Sequence, residues 1–418
     1  PNAFENCKSL QQIESTSNVS MIGSKAFNGC SSLRKIDIKS LQSIDEYTFL
    51  NCSSLMEISI PSSVTLIASN AFQGCSSLNT LTIPSSVKEI KPFAFNNCTS
   101  LKKITILAEI ETIKTDVFNR CSSLIHVTLP HSLKTIESCA FKKCVNLEPI
   151  TIPDSVTNIE EQAFRGCTSL KKIEIPSNVK QIGNFSFKDC LKLSEIIMNP
   201  YKTKIQDNSF DGCYSLEHFI FDKNIQKIET YNHQQISTIK KITLPNSNTI
   251  TAIGSNTFSK FSILKEIVIP SNITEIGSNS FIGCSSLISI EIPSLVKLIG
   301  SYAFKQCSSL KQIIIHSPLT EINDNVFDGC SSLEDLVIPS TVNKIGYAAF
   351  RGCSSLKQLS LPPCLSIIKS RTFDGCSLLE QIEIPSTVTL IEEYAFIGCS
   401  CLEKIEIPSS VQTIGPNA

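Results

Sequence analysis

Five histidines, His126, His131, His218, His233 and His316, are the side chains of this chain best suited to proton transfer or metal ligation near neutral pH. They fall in separate stretches, without the short spacings by which several ligands come to share one zinc ion. No G-x-S-x-G elbow, phosphate-cradling Walker loop or dinucleotide glycine motif occurs. His218 comes within reach of Asp222 or Glu195 if these sit on neighbouring strands, and a solvated ion pair is the favoured reading over a catalytic one. The expectation is a protein that is not an enzyme, with no catalytic, cofactor-binding or metal-binding residues.

The cysteines are the other candidates for chemistry. Of nineteen, sixteen recur at one spacing, at Cys7, Cys30, Cys52, Cys75 and onward to Cys399. If the spacing stacks them on successive strands, they stand ~4.8 Å apart, within the range a disulfide tolerates. Yet Ile236 and Phe261 occupy the same position in two copies, so the position asks for an apolar body. A buried free thiol is such a body. Core packing is therefore the favoured reading, with disulfides or metal as the alternative. Cys139, Cys364 and Cys401 lie outside the pattern and are the more reactive candidates. Cys399 and Cys401 form C-x-C, which is not the C-x-x-C of zinc or thioredoxin chemistry.

The element that positions these residues is a repeat. Leu333–Cys353 reads LEDLVIPSTVNKIGYAAFRGC and begins again at Leu356, 23 residues on. Its apolar slots are Leu333, Leu336, Ile338, Val342, Ile345, Ala349, Phe350 and Cys353. The Phe slot recurs from Phe4 to Phe210 and from Phe258 to Phe396 at intervals of 23, with one step of 22 between Phe27 and Phe49. Between them lies a decayed copy with His233 in the Phe slot and two extra residues near Asn246–Asn248. Five residues before each Phe slot stands an Ile, eighteen in all, from Ile22 to Ile414. Such self-similarity marks a solenoid.

In L-x-x-I-x-I the two Ile alternate as one buried face of a strand requires, and Pro commonly closes the strand (Pro61, Pro84, Pro339). The S-S-V-x-x-I that follows reads as a turn and a second short extended piece. The A-F-x-G-C segment is too short for a stable helix and reads as one helical or 3₁₀ turn that buries Phe. Gly29, Gly166 and Gly352 suit a left-handed exit from it, as do Asn51 and Asn97, whereas Arg120 and Lys143 suit it less. One repeat cannot fold alone. Burying about eight apolar side chains contributes roughly 12–24 kcal/mol, against roughly 23–46 kcal/mol to order the backbone, so neighbours must supply the rest.

These slots resemble the BspA-like branch of leucine-rich repeats, C-x-x-L-x-x-I-x-I-P-x-x-V-x-x-I-x-x-x-A-F-x-x-C, over essentially the whole chain. The resemblance implies an α/β leucine-rich-repeat solenoid, mostly β. Parallel strands would line its concave face, with short turns and a second short strand on the convex side. It also implies a cell-surface or secreted interaction protein. The family pattern defines core slots and no catalytic residue.

The period runs end to end, so 1–418 is expected as a single solenoid of about 18 repeats, irregular over 199–261. In that stretch Pro200 slips by one position, Phe219 and Phe221 replace the strand Ile residues, and Tyr201, Tyr214 and Tyr231 cluster. Both ends cut a repeat, which reads as an uncapped fragment of a longer protein. A net charge of −1 leaves no basic footprint for nucleic acid or anionic membrane. No apolar run approaches the ~18 residues of a membrane span. N-x-S/T acceptors at Asn18, Asn51, Asn97, Asn184 and Asn272 lend weak support to secretion.

The residue between the two strand Ile points away from the core. That column is polar from Asp37 through Ser59, Thr82, Thr105, Thr128 and Thr151 to Glu174. It turns largely apolar at Ile197, Ile220, Val268, Ile314 and Val337, with Thr243 and Glu291 interrupting. With His218, Tyr214 and Tyr231 nearby, this strip is the candidate ligand contact, because exposed apolar patches with polar rims mark interaction sites. The alternative is that β-branched residues simply suit strands. The function expected is adhesion, by binding a host extracellular-matrix or surface protein or a glycan, at the cell surface or outside the cell. The competing reading is an intracellular, cytoplasmic scaffold.

Overall fold

The computed structural model describes residues 1–13, 19–229, 238–247 and 250–418. They form two compact units, which divide between Leu216 and Glu217. Each unit is a stack of turns of the repeat, and no helix occurs among the described residues.

The turn that starts at Leu78 shows how the slots become structure. Its strand Thr80–Ile83 alternates exposed and buried residues, so Leu81 and Ile83 enter the core while Thr80 and Thr82 face out. It pairs in parallel with Lys103–Ile106, placing Thr80 opposite Lys103, Leu81 opposite Ile104 and Thr82 opposite Thr105. Pro84 has no N–H for this ladder and the strand stops before it. The Pro84 carbonyl instead accepts the Val87 N–H at 3.2 Å and turns the chain. A second strand of two residues, Glu89–Ile90, then pairs with Leu66–Ile67 in a separate wall. Where Pro is missing, at Leu107 and His316, the restored N–H donates to Ile83 and Ile292 in the preceding turn. The same alternation and the same parallel register recur in the second unit, as in Ser289–Ile292 against Gln312–Ile315.

The A-F-x-x-C segment differs from the helical or 3₁₀ turn expected of it. Alternate N–H groups leave the turn: Phe93, Phe95 and Asn97 donate to Thr115, Val117 and Asn119 of the next repeat at 2.8–3.1 Å. The N–H groups between them, on Asn96 and Cys98, close i to i−3 turns on Phe93 and Phe95. This alternation requires a left-handed residue on each side of the Phe slot, here Phe93 (φ 61°) and Asn97 (φ 61°). The second of the two is the left-handed exit that the glycines announce, and Arg120 (φ 62°) and Lys143 (φ 60°) adopt it as well. The first, at residues as different as Tyr47, Asp116, Phe185 and Ala348, carries no signature in residue type. A helix would spend every N–H within its own chain. Here half of them stitch one turn to the next.

The core of each unit is a file of stacked side chains. Phe rings pile face to face from Phe4 to Phe210 in the first unit, 5.2–5.7 Å apart, and from Phe258 to Phe396 in the second. At the start of the second unit the buried Phe219 and Phe221 meet edge-on at 4.9 Å, and Phe221 meets Phe258 edge-on at 6.3 Å. Two rings in strand slots thus change the packing from stacked to T-shaped where the repeat is irregular.

The slot cysteines are free and nearly all buried. Each thiol in the interior donates to the carbonyl of the Phe slot one turn back, as Cys98 Sγ does to Phe72 and Cys121 Sγ to Phe95, both at 3.2 Å. Burial and the neighbouring thiols hold Cys75 and Cys98 well above the ordinary thiol range, and burial pushes Cys52 and Cys307 up to about 12. Of the off-slot cysteines, Cys364 and Cys401 are exposed and Cys139 is half-buried; Cys7, in the first slot, is exposed too.

Candidate interaction surface

Side chains free to meet a partner are those the core does not claim, and on the long-strand wall the pleat selects them. In the second unit, His218, Lys241 and Glu266 lie side by side, and one pleat further Ile220, Thr243 and Val268 do the same. His218 Nε2 lies 2.8 Å from Thr243 Oγ1, a polar contact across neighbouring strands. Lys241 and Glu266 are ion-paired at 2.7 Å. Further along, Glu291 lies opposite Ile314 and 4.0 Å from His316 Nε2.

Exposure along the candidate strip is uneven. Val268 is 60% and Val337 81% exposed, whereas Ile220 and Ile314 are half-buried between their strand neighbours. Thr243 and Glu291 break the row, so the second unit presents two exposed valines flanking a charge. Ile197 belongs to the first unit, half-buried opposite Glu174. Tyr214, also of the first unit, is 80% exposed in the turn after Cys213. Tyr231 and His233 lie outside the described residues.

The depressions of the first unit were not anticipated. One, of about 930 Å³, lies on the polar part of the long-strand wall, among Lys35, Asp37, Glu57, Thr80, Thr82, Lys103 and Thr105. A second, of about 390 Å³, lies among His131, Thr151, Asp154, Lys172 and Glu174. The signal was present in the same exposed column that marked the apolar strip, read for hydroxyls and charges instead of for apolar residues. Among the described residues no three His, Cys, Asp or Glu side chains are placed to hold a metal ion.

A family model described as the BspA type leucine rich repeat region matches six times, over residues 1–102, 42–170, 88–217, 134–251, 203–334 and 320–418. The chain belongs to the BspA-type leucine-rich repeat family. Among solved structures it is similar to a leucine-rich repeat protein from Bacteroides ovatus, at 32% identity over 83% of this chain and 84% of that one, with a TM-score of 0.48. It is also similar to a leucine-rich cell surface protein from Faecalibacterium prausnitzii, at 28% identity over 94% and 85%, TM-score 0.34. The pneumococcal vaccine antigen PcpA matches at 19% identity over 81% and 89%, TM-score 0.29. No curated protein matches the chain. From turn to turn of this chain the residues held constant are the core slots, and the variable ones are those the strand wall displays.

Proposed function

We propose that this BspA-type chain is a non-enzymatic binding module that engages a protein or glycan partner through the outward residues of its long-strand walls. The observation that carries this reading is the division of labour along each strand. The inward column is committed to the core at nearly every turn, while the outward one changes from Thr to Glu to Val without disturbing the register. A surface free to vary on a scaffold that cannot is what recognition requires. The family supports a setting at the cell surface or outside the cell, and adhesion as the role. No helix among the described residues is long and apolar enough to cross a membrane.

Within this reading, Val268 and Val337 are the apolar contacts of the second unit. Replacing both with Lys is expected to leave the circular dichroism and the melting temperature unchanged, because neither packs in the core. Adhesion of the purified protein to immobilised matrix proteins or to host cells is expected to fall at least about tenfold, the loss of roughly 1.4 kcal/mol of contact. Unchanged adhesion by the double variant would show the row to be ordinary strand sequence.

A further inference from the structure

The long-strand wall of the first unit carries a second, slower period. Each of its strands is entered through the two residues after the buried Leu, and at every third turn both are basic: Arg34-Lys35, Lys102-Lys103 and Lys171-Lys172. Parallel strands lie about 4.8 Å apart, so successive pairs stand about 14 Å apart along one edge. All six side chains are exposed. Lys35 is paired with Glu57 at 3.1 Å and Lys172 with Glu195, but Arg34, Lys102, Lys103 and Lys171 have no acidic partner among the described residues. Lys192 joins Lys171 in lining a depression of about 570 Å³. Of the other acids on this wall, Asp37 pairs with Lys39 and Glu148 with His126, which leaves Glu174 and Asp154, both beside Lys172. The next basic pair in the series, Lys240-Lys241, belongs to the second unit and is neutralised there by Glu217 and Glu266.

Beside the first two pairs runs a ladder of hydroxyls. Thr82, Thr105 and Thr128 stand in register on three adjacent strands, and their hydroxyls make no hydrogen bond among the described residues. Thr80, Thr82 and Thr105 line the large depression that extends from Lys35 to Lys103. We propose that this row binds a linear anionic polysaccharide, bearing sulfate or carboxylate groups, laid across the strands of the first unit. The unpaired cations meet its charges and the threonines meet its hydroxyls. A nucleic acid fits less well. Duplex DNA presents a charge about every 1.7 Å, far denser than these pairs, and single strands are held by aromatic stacking, for which this wall has no Phe, Tyr or Trp.

The inference rests on the binding-module reading but uses a different unit from the Val268–Val337 row. It is tested on the whole chain with size-defined heparin as the sulfated probe, polygalacturonate as the carboxylate probe and neutral dextran as the control. Binding is measured by titration calorimetry. At least one anionic probe is expected to bind, with affinity falling as salt rises from about 50 to 200 mM through counterion release. Removing the unpaired charges in Lys102→Gln, Lys103→Gln, Lys171→Gln is expected to weaken binding about tenfold or more. Lys88→Gln, Lys134→Gln, Lys180→Gln removes equal charge from the other wall of the same unit and is expected to change it by less than about twofold. Equal weakening by both triple variants, no binding of either probe at low salt, or tighter binding of single-stranded DNA or polyglutamate would overturn the proposal. The Val268→Lys, Val337→Lys variant is expected to keep its affinity for the polysaccharide while losing adhesion, so the two readings fail separately.

Discussion

The Phe95 carbonyl accepts two hydrogen bonds, from the Cys98 N–H at 3.2 Å within its own turn and from the Cys121 thiol at 3.2 Å in the next. The Cys slot therefore supplies a donor as well as an apolar body, which accounts for cysteine recurring where valine or alanine would pack. These thiols make stability sensitive to alkali. The unfolded thiol ionises near 9.0, whereas the buried Cys52, Cys121 and Cys307 are pushed up to about 12, above all by burial. Folded chains keep the proton where unfolded ones lose it. This contribution is whole below pH 9.0 and is lost as pH rises from there toward 12. The urea midpoint is expected to decline across that window, and less steeply in Cys98→Ala, Cys121→Ala; an equal slope in the variant would refute the assignment. Ser280 poses a simpler case. Its hydroxyl is buried without a hydrogen-bond partner among the described residues, in a column that Ala71, Ala94, Ala163 and Ala303 fill elsewhere. Ser280→Ala is expected to raise stability by about 1 kcal/mol, and a lower melting temperature would show that the hydroxyl has a partner.

At the scale of the element, the turn around Phe is held by two left-handed residues per repeat. Outside glycine such a conformation costs about 1–2 kcal/mol, and the chain accepts this cost at Arg120, Lys143 and many other sites because the released N–H groups bond to the next turn. Arg120 is exposed and makes no ion pair among the described residues, so Arg120→Gly tests the conformation alone. Relief of strain less the added chain entropy is expected to stabilise by about 0.5–1 kcal/mol. Gly166→Val, at φ 74°, is expected to destabilise by about 1–2 kcal/mol. Thermal unfolding of the two variants checks both signs, and shifts in the same direction would contradict a left-handed requirement.

At the scale of the molecule, each unit has its own file of stacked rings and its own parallel ladders, and a solenoid's stability is close to a sum over neighbouring turns. Residues 1–216 expressed alone are therefore expected to fold, with a β-type circular dichroism spectrum and a cooperative urea transition. A fragment that lacks both would mean that the first unit depends on residues after 216.

By itself the sequence determined the period, the inward slots and the places where strands stop, because burial leaves a fixed spacing in residue type and Pro cannot donate to a ladder. Leu81, Ile83, Phe95 and Cys98 were legible as core for that reason. It also determined the outward column, since period-two alternation assigns a face to every strand residue. Only the tertiary structure decided the turn around Phe, where the N–H groups of Phe93 and Asn97 find their acceptors 22 residues away and no local pattern of side chains records it. Only the structure, too, ranked the outward residues. Ile220 and Val268 read alike, yet one is half-buried and the other exposed, because exposure on a strand wall depends on the side chains of the turns on either side.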